Sequence, residues 1–159
     1  MVVKVLVMGL SGSGKTSFAV RLHDALARAR LNGAHINADR VREATGNWDF
    51  SEEGRIESAK WMSKSAAQIL DEFAMDVIIY DTIACLEEQR EILDADITVV
   101  MDTLKSSSYP DTDAAFQEPD HGIFIESYDE VDEAIEVVIE QIRLITENRA
   151  TLSDYNESV

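Results

Sequence analysis

The chain has 159 residues, enough for one domain with a sizeable core. Its 31 acids against 14 bases give a net charge of −17, which argues against nucleic acid or a membrane surface as partner, since both need a basic face. Hydrophobic residues make up 45% of the chain but fall in short runs, none near the roughly 18 apolar residues needed to span a bilayer.

Val2 to Met8 is a nearly unbroken apolar run rich in valine, the pattern of a strand buried on both faces of a parallel sheet. It flows directly into a glycine-rich turn, so it reads as a first strand and not as a signal peptide. Lys15 to Arg30 reads as a helix with Phe18, Leu22 and Leu26 on its apolar side. A short strand follows near Ala34 to Asn37, then a short helix from Asp39 to Ala44. Ser51 caps a longer helix whose Ile56, Ala59, Met62, Ala66, Ile69 and Phe73 recur at helical spacing.

Asp76 to Asp81 is the next buried strand, Glu87 to Leu93 a helix, and Ile97 to Met101 a further strand. Residues 104–121 lack periodicity and hold both prolines, Pro110 and Pro119, which marks a lid or long loop. Ile123 to Glu126 is a short last strand. Val131, Ala134, Ile135, Val138, Ile139, Ile142 and Ile145 mark a strong C-terminal helix, with a frayed tail expected over 151–159. Strands alternating with helices imply one domain over residues 1–150, an α/β three-layer α/β/α sandwich of the P-loop NTPase type around a mostly parallel five-stranded sheet. Cys85 is the sole cysteine, so no internal disulfide forms, and a retained thiol fits the cytoplasm.

Gly9-Leu10-Ser11-Gly12-Ser13-Gly14-Lys15-Thr16 matches G-x-x-x-x-G-K-[ST] at every fixed position. Glycines let successive backbone N–H groups turn toward an anion, and the following helix adds its positive end. The cradle expected to hold ATP comprises Gly9, Ser11, Gly12, Ser13, Gly14, Lys15, Thr16 and Ser17. Lys15 reaches the outer phosphates, and the Thr16 hydroxyl is placed to ligate Mg²⁺. Asp81 ends a buried strand on the side where the cradle opens; it is either a Walker-B-like acid holding a water of the Mg²⁺ shell or a turn cap. Asp102 reads as a cap. His23, His35 and His121 show no ligand spacing, so no metal beyond Mg²⁺ and no nucleophile–base pair is indicated.

Three blocks resemble the adenylylsulfate kinases. GLSGSGKTS (residues 9–17) is close to that family's GLSGxGKTT. Asn37-Ala38-Asp39-Arg40-Val41-Arg42 looks like D-G-D-N-[IV]-R, and Asp49-Phe50-Ser51 through Arg55 and Glu57 looks like G-F-S-x-x-D-R-x-E-N. The resemblance implies transfer of the terminal phosphate of ATP to the 3′-hydroxyl of adenosine 5′-phosphosulfate (APS), a small-molecule acceptor in sulfate assimilation. It implies that Asp39 orients or deprotonates the attacking hydroxyl, that Arg42 and Arg55 bind the phosphosulfate, and that Phe50 stacks on the acceptor adenine. Arg90 matches an arginine following the family's F-I-S-P stretch, which here reads Thr82-Ile83-Ala84-Cys85. The family often forms homodimers. The competing structural readings are a solvated helix residue for Arg42, a salt bridge to Glu52 or a nearby acid for Arg55, core for Phe50 and a helix N-cap for Asp39, which does not exclude its functional role.

The chain departs from this pattern at several points. Asn37 replaces the first acid of D-G-D-N, Gly54 the acid before Arg55, and Ser58 the asparagine of the third block. The family's lid carries arginine and lysine, whereas Lys105 is the sole Lys or Arg between Arg90 and Arg143 here. Another small-molecule acceptor, or a nucleotide-binding regulator that has lost catalysis, are the competing readings.

Overall fold

The computed structural model describes residues 1–158. Five strands, β1 (Val3–Gly9), β2 (Gly33–Asn37), β3 (Val77–Asp81), β4 (Ile97–Met101) and β5 (Ile123–Ile125), form one sheet in the order β2-β3-β1-β4-β5. Every pairing is parallel. Parallel neighbours need crossover connections, and each of the four carries at least one helix: α1 (Lys15–Arg28), α2 (Ala38–Thr45) and α3 (Glu52–Glu72), α4 (Glu87–Leu93), and α5 (Pro110–Ala115). A last helix, α6 (Val131–Ser158), follows β5 through a short 3₁₀ turn at Tyr128–Glu130.

The valine-rich β1 reads as continuous because both its faces are covered, and its alternation shows only in what each side chain meets. Val3, Val5 and Val7 face Phe18, Leu22 and Leu26 of α1 and Val131, Ile135, Val138 and Ile142 of α6. Leu6 and Met8 face the opposite way, onto Ala59, Met62 and Ala66 of α3 and Leu93 of α4. The result is three layers, α1 and α6 on one side of the sheet, α2, α3 and α4 on the other. Both cores converge below the C-terminal edge of the sheet, where Gly9, Asn37, Asp81 and Met101 end their strands side by side.

Local signals set the element ends. Ser51 Oγ accepts from Gly54 N–H at 3.2 Å, and Asn37 Oδ1 accepts from Arg40 N–H at 3.1 Å, so α3 and α2 both start on side-chain caps. Residues 104–121, which carry no periodicity in the sequence, hold the one-and-a-half-turn helix α5, opened by Pro110 at its first position. Residues 151–158 contain no glycine or proline, and α6 continues through them with every side chain exposed. No helix among the described residues is long and apolar enough to cross a membrane.

Candidate functional site

The turn between β1 and α1 adopts the conformation its glycines permit. Gly12 and Gly14 lie at φ 82° and 99°, and Gly14 starts α1 with no side-chain cap. The first N–H groups of α1 are therefore left for a ligand. A Cβ at Gly9 would sit 2.7 Å from the Met101 carbonyl oxygen and from Ser13 Oγ, and one at Gly14 would sit 2.8 Å from the Tyr128 ring. Two loops brace the turn from outside: the Thr103 hydroxyl donates to the Ser13 carbonyl at 2.8 Å, and the Tyr128 hydroxyl donates to the same oxygen at 3.3 Å. Ser13 Oγ is the one buried side-chain polar atom without a hydrogen-bond partner among the described residues. A glycine-walled turn with an unpaired hydroxyl and an uncapped helix start fits a bound phosphate chain.

Lys15 leaves the first turn of α1 and donates to the Leu10 carbonyl at 2.9 Å. Burial lowers its pKa, and the carboxylates of Asp81 and Asp39 oppose that shift. Thr16 Oγ donates to Asp81 Oδ2 at 2.8 Å, which leaves its lone pairs for a cation. Asp81 is 2% exposed, and its pKa is nevertheless lowered. Burial pushes it up, but hydrogen bonds from His35, Asn37 and Thr16 together outweigh that. No group of three or more His, Cys, Asp or Glu side chains placed to hold a metal ion occurs among the described residues. A hydroxyl, one carboxylate and nucleotide phosphates are the oxygen donors Mg²⁺ commonly takes in such sites, so Thr16 and Asp81 fit it.

Beside this cradle, and continuous with it, opens a pocket of about 90 Å³ lined by Ser11, Lys15, Thr16, Asp39, Arg42, Phe50, Arg55, Asp81 and the 82–84 turn. Three cations against two carboxylates give it net positive charge on a chain of −17, which resolves how so acidic a protein presents a phosphate site. Asp39 sits exposed in the first turn of α2. Arg42, one turn later, is 6% exposed and donates through Nη1 to the carbonyls of Asn47 (2.9 Å) and Asp49 (3.1 Å). Burial and the neighbouring Arg55 lower its pKa, against Asp39 and Asp49. Its guanidinium lies 4.4 Å from the centroid of the Phe50 ring, which is 45% exposed. Its remaining nitrogens have no protein partner among the described residues.

Arg55 is 4% exposed and fully engaged. Nε donates to the Phe50 carbonyl (2.8 Å), Nη1 to Cys85 Sγ (3.5 Å) and Nη2 to Thr112 Oγ1 of α5 (2.9 Å). It thus joins the Phe50 loop to the lid. Arg90 is not in this pocket. It donates to the Ala84 carbonyl at 2.8 Å and faces a separate cleft with Glu87, Glu91, Asp94 and Asp120. Ala84 holds a left-handed φ of 48°, and Arg90 pins that turn from behind. Ser17 is exposed on the first turn of α1 and lines neither cavity beside the cradle.

Sequence reasoning missed three groups. Gln89 is buried in the pocket floor, donates to the Arg55 carbonyl at 3.1 Å and accepts from Leu86 N–H. His35 donates to Asp81. Gly54 has no room for a side chain, because a Cβ there would lie 2.2 Å from the Asp49 carbonyl oxygen. Only Gly54 carried a signal, as a glycine where the resembled pattern has an acid. On the far side of the cradle a second cavity, about 310 Å³, lies under the lid between Gly9, Met101, Lys105, Phe116 and Phe124. The lid's single cation and one of its aromatics both face it.

The family model for adenylylsulphate kinase matches residues 1–110. The chain belongs to the adenylylsulphate kinase family. That is a family of ATP-dependent kinases, and the match stops where α5 begins, so residues 111–121 of the lid lie outside it while Lys105 lies within it. A cytidine diphosphoramidate kinase from Campylobacter jejuni is 31% identical over 84 residues, covering 53% of this chain and 48% of that protein. The match thus spans about half the length of the curated relative. The Mycobacterium tuberculosis APS kinase in complex with AMPPNP and APS superimposes with a TM-score of 0.72 at 20% identity, covering 89% of this chain and 98% of that one. A gluconokinase from Sinorhizobium meliloti gives 0.62 at 14% identity, over 95% and 97%. At such identities the two structures establish the shared P-loop kinase fold.

Proposed function

We propose that this member of the adenylylsulphate kinase family transfers the γ-phosphoryl group of ATP to the 3′-hydroxyl of a small anionic nucleotide, with APS the first acceptor to test. One observation carries this reading: Lys15, Thr16 and Asp81 of the phosphate cradle share one pocket with Asp39, Arg42, Phe50 and Arg55. Phosphoryl transfer depends on positioning and charge neutralisation more than on covalent catalysis, and the pocket offers both.

The cradle N–H groups and Lys15 hold the β- and γ-phosphates. Bound Mg²⁺, held by Thr16 and Asp81, would neutralise charge on the same oxygens. Asp39, exposed at the pocket mouth, accepts the hydrogen bond of the attacking hydroxyl and takes its proton as the new P–O bond forms. The bond to the β-phosphate oxygen breaks, and ADP leaves. Arg42 is the better placed of the two arginines for the acceptor's anion, since its Nε and Nη2 are not spent on protein. Arg55 acts by holding the Phe50 loop against the lid.

A second acceptor class has its own support, because the curated relative is named a cytidine diphosphoramidate kinase. A coupled ADP-release assay with Mg-ATP tests both, using APS, cytidine diphosphate derivatives and plain nucleosides as acceptors. APS-dependent release with a 3′-phosphorylated product supports the first reading. Release with cytidine diphosphate derivatives alone moves the acceptor to that class. ATP binding without acceptor-stimulated release refutes the phosphotransferase reading in favour of a regulator.

A further inference from the structure

The D-G-D-N pattern has an acid at position 37, where this chain has Asn37, and the replacement has a counterpart one strand away. Strands β2 and β3 pair in parallel with Asn37 directly opposite Asp81, the last residue of each. Asn37 Nδ2 donates to Asp81 Oδ2 at 2.9 Å. The amide orientation is fixed from its other end, since Asn37 Oδ1 is the cap that accepts from Arg40 N–H at 3.1 Å. An aspartate at 37 would have to turn a carboxylate oxygen against Asp81 Oδ2 instead.

Two further donors meet the same oxygen. His35 lies two residues before Asn37, on the same face of β2, and its Nε2 is 3.0 Å from Oδ2; Thr16 Oγ is 2.8 Å from it. Oδ2 is saturated. Oδ1 accepts no hydrogen bond from any described residue, yet it is not among the buried unpartnered atoms, so it keeps some exposure, and Asp81 lines the same pocket as Lys15.

We propose that Asn37 and His35 are positioning residues for the carboxylate that serves the nucleotide-bound divalent cation: they hold Asp81 Oδ2 so that Oδ1 is left for the cation. This rests on the phosphotransferase reading only in requiring a bound metal–nucleotide complex. Asn37 is then the complement of Asp81 and not a decayed motif: a neutral donor is what the buried acid requires at its neighbour.

The test is Mn²⁺ binding in the presence of ADP, followed by electron paramagnetic resonance, with Tm in EDTA as the check on folding. Asp81→Asn keeps an acceptor oxygen for the three donors and removes only the charge, so it should weaken Mn²⁺ by at least about tenfold while the protein still folds in EDTA, with Tm lowered by the charge's own stabilising share. Asn37→Asp alone should lower Tm in EDTA, because two carboxylates then face each other. The exchange Asn37→Asp/Asp81→Asn should recover most of the Mn²⁺ affinity. His35→Leu should weaken Mn²⁺ by about tenfold, and His35→Gln, which keeps a donor, should recover it. Unchanged Mn²⁺ affinity in Asp81→Asn, or an exchange variant no better than Asp81→Asn, overturns the proposal. Wild-type protein that takes up no Mn²⁺ with ADP overturns it together with the phosphotransferase reading. Wild-type protein that binds Mn-ADP but phosphorylates no acceptor refutes that reading alone.

Discussion

Gly54→Ala sets two opposing effects against each other. Gly54 is the third residue of α3, and alanine is favoured over glycine in a helix by about 1 kcal/mol. On propensity alone the substitution stabilises. The geometry says otherwise: the new Cβ would lie 2.2 Å from the Asp49 carbonyl oxygen, and since such contacts essentially never fall below 3.0 Å, the loop must retreat by at least 0.8 Å (3.0 less 2.2). That carbonyl accepts from Arg42, which stacks on Phe50. Overpacking of this kind costs about 1–3 kcal/mol, and weakening a bond to a charged donor adds about 1.5 kcal/mol. After the helix gain, the net loss is roughly 2 kcal/mol, a fall in Tm of about 4–8 °C for a chain of this size. Because Phe50 moves with the loop, KM for the acceptor should rise while KM for ATP stays unchanged. Thermal or urea unfolding with steady-state kinetics measures both. A Tm that rises, or an acceptor KM that does not move, refutes the claim that the 47–50 loop depends on a bare position 54.

Lys15→Met should abolish nucleotide binding in calorimetry yet leave Tm unchanged or higher, because burial makes the charged Lys15 costly when the cradle is empty. Asp39→Asn should lower kcat far more than ATP affinity; equal losses would make Asp39 a structural residue of α2. In Arg55→Lys a single ammonium cannot reach the Phe50 carbonyl, Cys85 and Thr112 together, so stability should fall by about 2–3 kcal/mol and proteases should cut residues 104–121 faster. Asp81 has a lowered folded pKa, so its stabilising contribution is present above the ordinary carboxylate value of about 3.9 and is lost as pH falls through the lower folded value. Acid titration of Tm should therefore show a shallower acid limb in Asp81→Asn.

Most of the frame was legible because it rests on local patterns. The buried strands read as valine-rich runs, the helices as 3.6-residue stripes, and the cradle as a spelling whose every fixed position has a backbone reason. The pocket membership of Asp39, Arg42, Phe50 and Arg55 followed from block resemblance, and the structure brings all four together. What the sequence hid depends on partners distant in the chain. Arg55 and Thr112 meet from 57 residues apart, and His35 meets Asp81 from 46. Arg90 matches the arginine after its stretch, yet the sharp turn at Ala84 sends it behind the site. Helix α5 has too few residues to show a period, and its sequence of acids around Pro110 resembles a loop.

The bracing of the phosphate turn sets a limit on independent motion. Thr103 is the last residue before the lid segment, and Tyr128 is in the 3₁₀ turn that feeds α6; both hang on one oxygen, that of Ser13. A rotation of that single peptide plane shifts two mechanical anchors at once, one at the root of the lid and one at the root of the longest helix. Tyr128, with its ring against Gly14 and its hydroxyl on Ser13, is thus a built-in gauge: the NMR signals of its ring should register loading of the turn without any added label.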